Sequence, residues 1–388
     1  MLAEKNMKLI RLTTLEKMKD TILGFGAMRL PQKDANNPVS IDMEEFTQMV
    51  DYYMEQGFDY FDTSYAYHDE TSENALKKAL VERYPRESYR ICDKIPTWLL
   101  TNENDNDRLV NVMLERLGID YFDVLLIHNI NQVFINIAEN CNTFEYIKKL
   151  KEEGKAKKIG FSYHDKADVL EEILEKYGDV IDVVQIQLNY LDWNSQTVES
   201  KKCHRICAKY DVEVIVMEPI KGGTLVNVAD SVKKQFKDYS DTTIAEWALR
   251  FAGSQDNVSI VLSGMSNLEQ MKENCKTFND FQPITRDEHR FLMKMAREIK
   301  KTLAIDCSYC GYCVKECEMG IPIPDLFNLY NGEKLYSLVA NYANYGTITA
   351  TRAPASACTQ CGSCIDICTQ QLNIPELLID VAELFEGN

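Results

Sequence analysis

Cys307, Cys310, Cys313 and Cys317 are spaced C-x2-C-x2-C-x3-C, and the same spacing returns at Cys358, Cys361, Cys364 and Cys368, offset by 51 residues. This duplication is the tightest constraint in the chain. One tight loop carrying three soft thiolates at that pitch can offer all three to a single cubic iron–sulfur cluster. Disulfides do not explain two runs of identical spacing. Zinc is the competing metal, but it favours paired C-x2-C knuckles over triplets with a trailing cysteine. The expectation is two [4Fe–4S] clusters, each organising the backbone around it.

The rest of the 388 residues leaves room for one large domain. Short apolar runs read as strands at 22–26, 58–63, 89–94, 123–128, 157–161, 183–187, 213–217 and 259–262. Helix-like stretches follow at 43–56, 72–81, 107–117, 141–153, 165–177, 198–209, 243–252 and 268–276. Runs such as Val124-Leu125-Leu126-Ile127 are apolar throughout, as parallel strands buried on both faces are. Eightfold alternation predicts an α/β fold, a closed (β/α)₈ TIM barrel, which takes about 250 residues. An open doubly wound sheet is the rival, weakened because no Gly-x-Gly-x-x-Gly follows the first strand. The expected organisation is a barrel over 1–283, a helical linker over 284–303, and a small, mainly helical cluster domain over 304–388, with helix expected across 325–345.

Over the cysteine-rich tail the chain resembles bacterial two-cluster ferredoxin domains. The resemblance implies that the fourth cysteine of each run binds the other cluster. The implied sets are Cys307, Cys310, Cys313 with Cys368, and Cys358, Cys361, Cys364 with Cys317. Two features depart from the family pattern. The proline that customarily follows the fourth cysteine is replaced by Glu318 in one run and Thr369 in the other, and the spacer from Cys317 to Cys358 is long.

In the barrel, polar residues gather where strands end. Asp62 and Tyr67 follow the second strand, Lys94 ends the third and His128 the fourth. A (β/α)₈ barrel brings such positions together at its carboxyl face, where active sites sit. A phenol with a pKa near 10 is a poor acid at neutral pH unless a cation lies beside it. Lys94 can be that cation, Asp62 can hold Lys94, and His128 can donate a hydrogen bond to a developing oxyanion. Tyr65 is the competing phenol. Residues 8–280 resemble the aldo/keto reductase superfamily through Gly24-Phe-Gly-Ala-Met-Arg29, Asp62-Thr-Ser-Tyr-Ala-Tyr67, Ser72-Glu73, Asp93-Lys94, Leu126-Ile-His128, Ile159-Gly-Phe-Ser162, Met217-Glu-Pro219 and Glu273-Asn274. The resemblance implies that Tyr67, five residues beyond Asp62, is the general acid in transfer of hydride from a nicotinamide to a carbonyl. It further implies that Ser162 and Gln185 grip the carboxamide, that Met217 and Pro219 belong to the cofactor site, and that Gly264, Gln270, Glu273 and Asn274 line the adenosine end. Tyr163 stands where relatives carry Asn after the serine. Gly264 and Gln270 replace the Lys and Arg that some relatives set against a 2′-phosphate, so neither NADP nor NAD is selected by these residues.

A hydride carries two electrons whereas each cluster passes one, so a direct hand-over is not simple. Three functions follow. The first is a nicotinamide-dependent oxidoreductase acting on a small carbonyl or alcohol, with clusters wired to another carrier. The second is a flavin- or ferredoxin-linked reductase without NAD(P). The third is a non-catalytic redox-sensing or electron-transfer module. His164 is either a substrate contact or a solvated loop residue. Cys203, His204 and Cys207 have helical spacing that suits a metal but also suits helix packing, while Cys92, Cys141 and Cys275 read as buried small hydrophobes. The tyrosines of 330–345 read as packing for the cluster domain. Loops 129–137 and 191–198 carry the expected selectivity for substrate. A net charge of −17 argues against nucleic acid and anionic membranes and suits a basic redox partner protein. No export signal is read in residues 1–20 and no apolar run is long enough to span a bilayer, so a cytoplasmic location is expected. The sequence is silent on oligomeric state.

Overall fold

The computed structural model describes residues 22–34, 37–336 and 339–387. Within them, eight parallel strands close into a barrel in chain order: β1 (Ile22–Gly26), β2 (Tyr60–Asp62), β3 (Arg90–Pro96), β4 (Phe122–Ile130), β5 (Ala156–Tyr163), β6 (Val183–Gln187), β7 (Glu213–Met217) and β8 (Val258–Ser263). Closure is made by β1 pairing β8, with Leu23 opposite Val261 and Gly24 opposite Leu262. The barrel expectation therefore holds, and each strand lies within a few residues of its expected place.

Between the strands run α1 (Met43–Glu55), α2 (Ser72–Leu76), α3 (Asn104–Leu117), α4 (Phe134–Asn140), α5 (Thr143–Glu152), α6 (Ala167–Tyr177), α7 (Ser200–Lys209), α8 (Asp230–Tyr239) and α9 (Ile244–Gly253). α10 (Leu268–Asn279) follows β8. Their ends are set locally. Asp42 accepts the N–H groups of Glu44 and Glu45 to cap α1, and Asn267 accepts Gln270 N–H to cap α10. Gly118 ends α3 with φ +71°, a conformation glycine adopts without penalty. α4 and α8 were not expected from sequence. α4 occupies part of the segment read as a mouth loop, and α8 is half charged, with Val232 and Phe236 as its buried anchors.

Side chains alternate along a strand, so every second residue points inward. Tyr60, Cys92, Val124, Leu126, Val183, Ile215, Ile260 and Leu262 form one apolar cluster, against which Met217 packs. Two residues further along the strands stand Asp62 (from Tyr60), Lys94 (from Cys92), His128 (from Leu126) and Gln185 (from Val183). Ser162 is in register with Gln185. A dry plug therefore lies beneath a polar layer.

By its internal contacts the chain divides into two units. The first is the barrel, through Asn194, with Glu199–Pro219 and Ala245–Thr285. The second comprises Arg286–Asn388 with Ile220–Ile244 and Ser195–Val198. It therefore takes in α11 (Arg286–Lys300), the expected linker, and also α8. Phe291 of α11 stacks on Tyr239 at 3.8 Å and meets Phe236 edge-on at 5.4 Å. The remaining helices of this unit are α12 (Tyr312–Lys315), α13 (Ile323–Tyr336), α14 (Val339–Thr349), α15 (Ser363–Asp366) and α16 (Ile374–Glu386). Its core holds Ile321, Leu326, Phe327, Ile374, Leu378 and Val381, all buried. Tyr345 Oη donates to Glu386 and accepts from Ala355 N–H while its ring stacks on Phe385, in keeping with a packing role.

Gly160 lets β5 approach β6. A Cβ there would stand 1.8 Å from the Val183 carbonyl oxygen, which is backbone and cannot swing away. Gly160→Ala should cost about 3 kcal/mol through forced separation of the strands. Denaturant unfolding checks this, and an unchanged midpoint would show that β5 and β6 are not in this register.

Candidate active site and cluster cysteines

Lys94 is the centre of the polar layer. Its side chain is fully buried, and Nζ donates to Asp62 Oδ1 at 2.6 Å, to the Thr63 carbonyl at 2.7 Å and to Tyr67 Oη at 3.4 Å. The second Asp62 oxygen accepts from Gln185 Nε2 at 3.0 Å. An ammonium taken wholly out of water is tolerable only with such partners. Tyr67 reaches Lys94 from the β2–α2 loop. That loop is pinned by Tyr67 N–H to the Ser64 carbonyl at 3.1 Å and by the Thr63 and Ser72 hydroxyls at 2.9 Å. Tyr65, the competing phenol, lies under the Arg116 guanidinium instead. His128 meets the Tyr67 ring edge-on at 6.0 Å, and its Nδ1 pairs with Ser64 Oγ at 2.9 Å. Burial first, then the charge of Lys94 and the neighbouring His164, holds His128 well below the usual imidazole range. Both causes favour its neutral form.

The candidate cofactor residues divide into two groups. Ser162 and Gln185 share the polar layer with Asp62, Lys94 and His128. Ser162 Oγ accepts Asn129 N–H at 2.8 Å, leaving its own O–H to donate. Met217 is half-buried, Pro219 is buried. The others lie after β8. Gly264 is exposed, with Arg29 so near that a Cβ would stand 3.2 Å from it. Gln270, also exposed, accepts Ser266 N–H at 2.9 Å. Glu273 is exposed, whereas Asn274 is buried and donates to Ser263 Oγ at 2.9 Å.

Sequence reasoning missed Asn129 and Gln187. Asn129 sits where β4 slips its register against β5, with φ +61°, and both of its buried side-chain amide atoms lack a hydrogen-bond partner among the described residues. The Gln187 amide nitrogen and His164 Nδ1 are buried without partners as well. Gln187 was within reach of the alternation rule, two residues beyond Gln185, but nothing in the sequence marks the slip at Asn129. His164 is buried, so it is not a solvated loop residue. Burial and the Lys94 charge push its imidazole down to about 3. Unsatisfied amides beside Ser162 fit a polar planar ligand such as a carboxamide.

Behind Lys94, Asp93 accepts the Lys94 N–H at 2.8 Å and faces Glu73, which Arg116 also binds at 3.0 Å. Burial raises both carboxyls, Glu73 to about 7 and Asp93 further above its ordinary range, helped by Glu73's charge. Together they hold a proton on the outer side of β3.

In the second unit the two cysteine runs repeat their backbone as well as their spacing. Left-handed residues recur at Tyr309, Gly311 and Gly320 and again at Gln360, Gly362 and Gln371. α12 and α15 open at matching positions. Cys310 Sγ lies 3.6 Å from Thr369 Oγ1, next to Cys368, and Glu318, next to Cys317, accepts from Thr359 Oγ1 at 2.8 Å. Each residue replacing the customary proline therefore reaches the other run. Burial raises the Cys313 thiol, and so do Cys310, Cys307 and Cys368 beside it. Cys364 is raised to about 11 by burial and then by Cys358, Cys361 and Cys317. Backbone N–H groups point at sulfur from Tyr309 to Cys307 at 3.3 Å and from Leu372 to Cys368 at 3.4 Å. Crowded thiolates with N–H donors suit a cationic iron–sulfur core. Among the described residues no three His, Cys, Asp or Glu side chains close on a single ion. The remaining cysteines are buried and form no disulfide, and His204 is bound to the Asp256 carbonyl, in keeping with Cys203, His204 and Cys207 as packing residues of α7.

Comparison with known proteins accords with this geometry. Residues 22–296 match the aldo/keto reductase family and residues 306–372 a 4Fe–4S dicluster domain. L-galactose dehydrogenase of Arabidopsis thaliana is 25% identical over 291 residues, covering 70% of this chain and 88% of that protein. An NADH-specific methylglyoxal reductase of Escherichia coli is 28% identical over 199 residues, covering 44% of this chain and 58% of that protein. Among solved structures, an aldo-keto reductase from Bacillus halodurans in its holo form superposes with a TM-score of 0.56 at 22% identity, covering 70% of this chain and 91% of that one. One from Klebsiella pneumoniae in complex with NADP and acetate gives 0.55 at 18% identity, with 71% and 90% covered. The chain belongs to the aldo/keto reductase family and joins that family's barrel to a 4Fe–4S dicluster domain, which makes it an iron–sulfur oxidoreductase.

Proposed function

We propose that this protein reduces a small carbonyl compound, or oxidises the matching alcohol, with a nicotinamide cofactor, and that two [4Fe–4S] clusters relay electrons to or from another carrier. The observation that carries the reading is Lys94 Nζ held between Asp62 and the Tyr67 hydroxyl in a buried layer. The nicotinamide supplies a hydride when bound. Tyr67 gives its proton to the carbonyl oxygen as that oxygen gains charge, the Lys94 ammonium stabilises the phenolate left behind, and Asp62 keeps Lys94 in place. Neutral His128 orients the carbonyl by a hydrogen bond and adds no second charge. Ser162 and the free oxygen of Gln185 hold the carboxamide, and Asn129 offers the amide that Tyr163 does not, since Tyr163 Oη is taken by the Lys166 carbonyl. Met217 and Pro219 belong to the same cofactor site, and Gly264, Gln270, Glu273 and Asn274 line the adenosine end. The clusters supply one-electron steps, held by Cys307, Cys310, Cys313 and Cys368 and by Cys358, Cys361, Cys364 and Cys317. Relatives named for L-galactose and methylglyoxal support a small carbonyl or alcohol substrate. No helix among the described residues is long and apolar enough to cross a membrane.

Tyr67→Phe should lower kcat by roughly 100-fold or more while anaerobic nucleotide binding, read by fluorescence quenching, is unchanged. Full turnover in Tyr67→Phe sinks the assignment. Flavin released by acid in place of bound nucleotide would instead favour a flavin-linked reductase.

Cys310→Ser and Cys368→Ser should deplete one and the same cluster, each removing about half of the iron and sulfide. If the spectrum of Cys368→Ser matched that of Cys364→Ser instead, the crossed ligand sets would be wrong.

Acid should weaken the barrel through His164. Its folded value, about 3, lies below the ordinary 6.5. In that window the unfolded chain binds more protons, so stability is fully present above about pH 6.5 and declines as pH falls. His164→Asn should show a shallower decline in unfolding midpoint than the parent. Comparing the two isolates His164 from Glu73, whose shift up to about 7 acts in the opposite sense. Identical slopes would remove the contribution.

A further inference from the structure

The second unit contains a buried cation that the proposed chemistry leaves unused. Lys221 has no exposed surface. It follows β7 in the chain and begins a turn of three successive left-handed residues, Lys221 at φ +47°, Gly222 at +60° and Gly223 at +100°. For a lysine that conformation is unfavourable, so something must hold it there. Lys221 Nζ donates to Gln370 Oε1 at 2.6 Å and forms an ion pair with Asp306 Oδ1 at 3.1 Å. Asp306 directly precedes Cys307, and Gln370 lies two residues beyond Cys368. Both partners therefore belong to the same crossed set of four thiols. The counter-charge is only partly buried, since the Asp306 side chain is 39% exposed. Water screens that carboxylate more than it screens the ammonium.

The other set has the opposite environment. Glu318 directly follows Cys317 and its carboxylate accepts from Thr359 Oγ1 beside Cys358. The equivalent residue of the first set is the neutral Thr369. At Lys221 and at the equivalent positions 318 and 369 the two sets, alike in backbone and spacing, thus differ in the charge brought to them, whereas the equivalent Lys315 and Asp366 differ in the reverse sense but are both exposed to water.

We propose that Lys221 and Glu318 separate the potentials of the two clusters, so that the first electron settles on the set containing Cys307, Cys310, Cys313 and Cys368. The inference rests on the two-cluster reading above. Each reduction adds one electron and one unit of negative charge to a cluster, with no proton transferred. A nearby ammonium stabilises the reduced form and a nearby carboxylate destabilises it. Lys221 has the larger effect because it is buried, whereas Glu318 is exposed. Both act as positioning charges, outside the ligand sets.

The experiment is an anaerobic dithionite titration of the full-length protein followed by electron paramagnetic resonance, with iron and sulfide measured on the same samples. The parent should show two separate one-electron steps. Lys221→Met should move the higher step downward and leave the lower one in place, and Lys221→Arg should restore it. Glu318→Gln should move the lower step upward by a smaller amount. Combining Lys221→Met with Glu318→Gln should draw the steps together. Unmoved steps in both single variants with full iron content overturn the proposal, as does an equal shift in Lys221→Met and Lys221→Arg. Loss of iron from Lys221→Met and Lys221→Arg alike also overturns it, by making Lys221 a structural tie. A parent protein without iron and sulfide would instead defeat the two-cluster reading itself.

Discussion

The barrel's polar layer is organised around one buried ammonium. Lys94 is deprived of water on every side, and Asp62 and the Thr63 carbonyl replace its hydration. Pairing of β2 with β3 presents Asp62 and Lys94 to each other in the same inward layer, and closure of the barrel lets Gln185 of β6 reach Asp62 as well. Removing either charge would leave the other buried and uncompensated, a situation that typically costs 3–5 kcal/mol. The ion pair therefore joins stability to function. It holds a cation where a phenol can use it, and its ammonium adds to burial, the larger cause, in lowering both neighbouring imidazoles.

The same economy of charge appears on the outer side of β3. Asp93 and Glu73 cannot both ionise in a dry site, so they retain a proton between them while Arg116 compensates the remainder. Lys94 thus has a carboxylate in front and a proton-sharing pair behind, and its backbone N–H is tied to the latter. Both contacts fix the strand end that carries it.

The second unit meets a different constraint. Eight thiols are gathered in two interleaved runs, and burial and neighbouring thiols oppose ionisation of Cys313, Cys364 and Cys368, an arrangement that favours a strongly cationic inorganic core. Its repeated backbone shows that each run is one structural unit used twice, and the contacts of Thr369 and Glu318 show the runs interleaved. Duplication supplies two similar sites. Differences between them come from single residues at equivalent positions, and from Lys221, which reaches Gln370 across 149 positions of sequence.

Much of this was legible in the amino-acid order. Cysteine spacing announced the 4Fe–4S domain, because ligand geometry is a local property of one loop. Strand alternation announced the barrel and the carboxyl-face residues, because the side-chain period is built into the backbone. The register slip and left-handed turn at Asn129 were not legible, nor was the pairing of His128 with Ser64 or the choice between Tyr65 and Tyr67 on chemical grounds alone. Helix α8 escaped notice because a strongly charged stretch with only two buried anchors announces no buried face until its partner, Phe291, is in place. By itself the sequence determined which groups were available and how often they repeat. Tertiary structure alone decided which of them lost water, and with it which charges matter, because desolvation belongs to a packed neighbourhood and not to any residue within it.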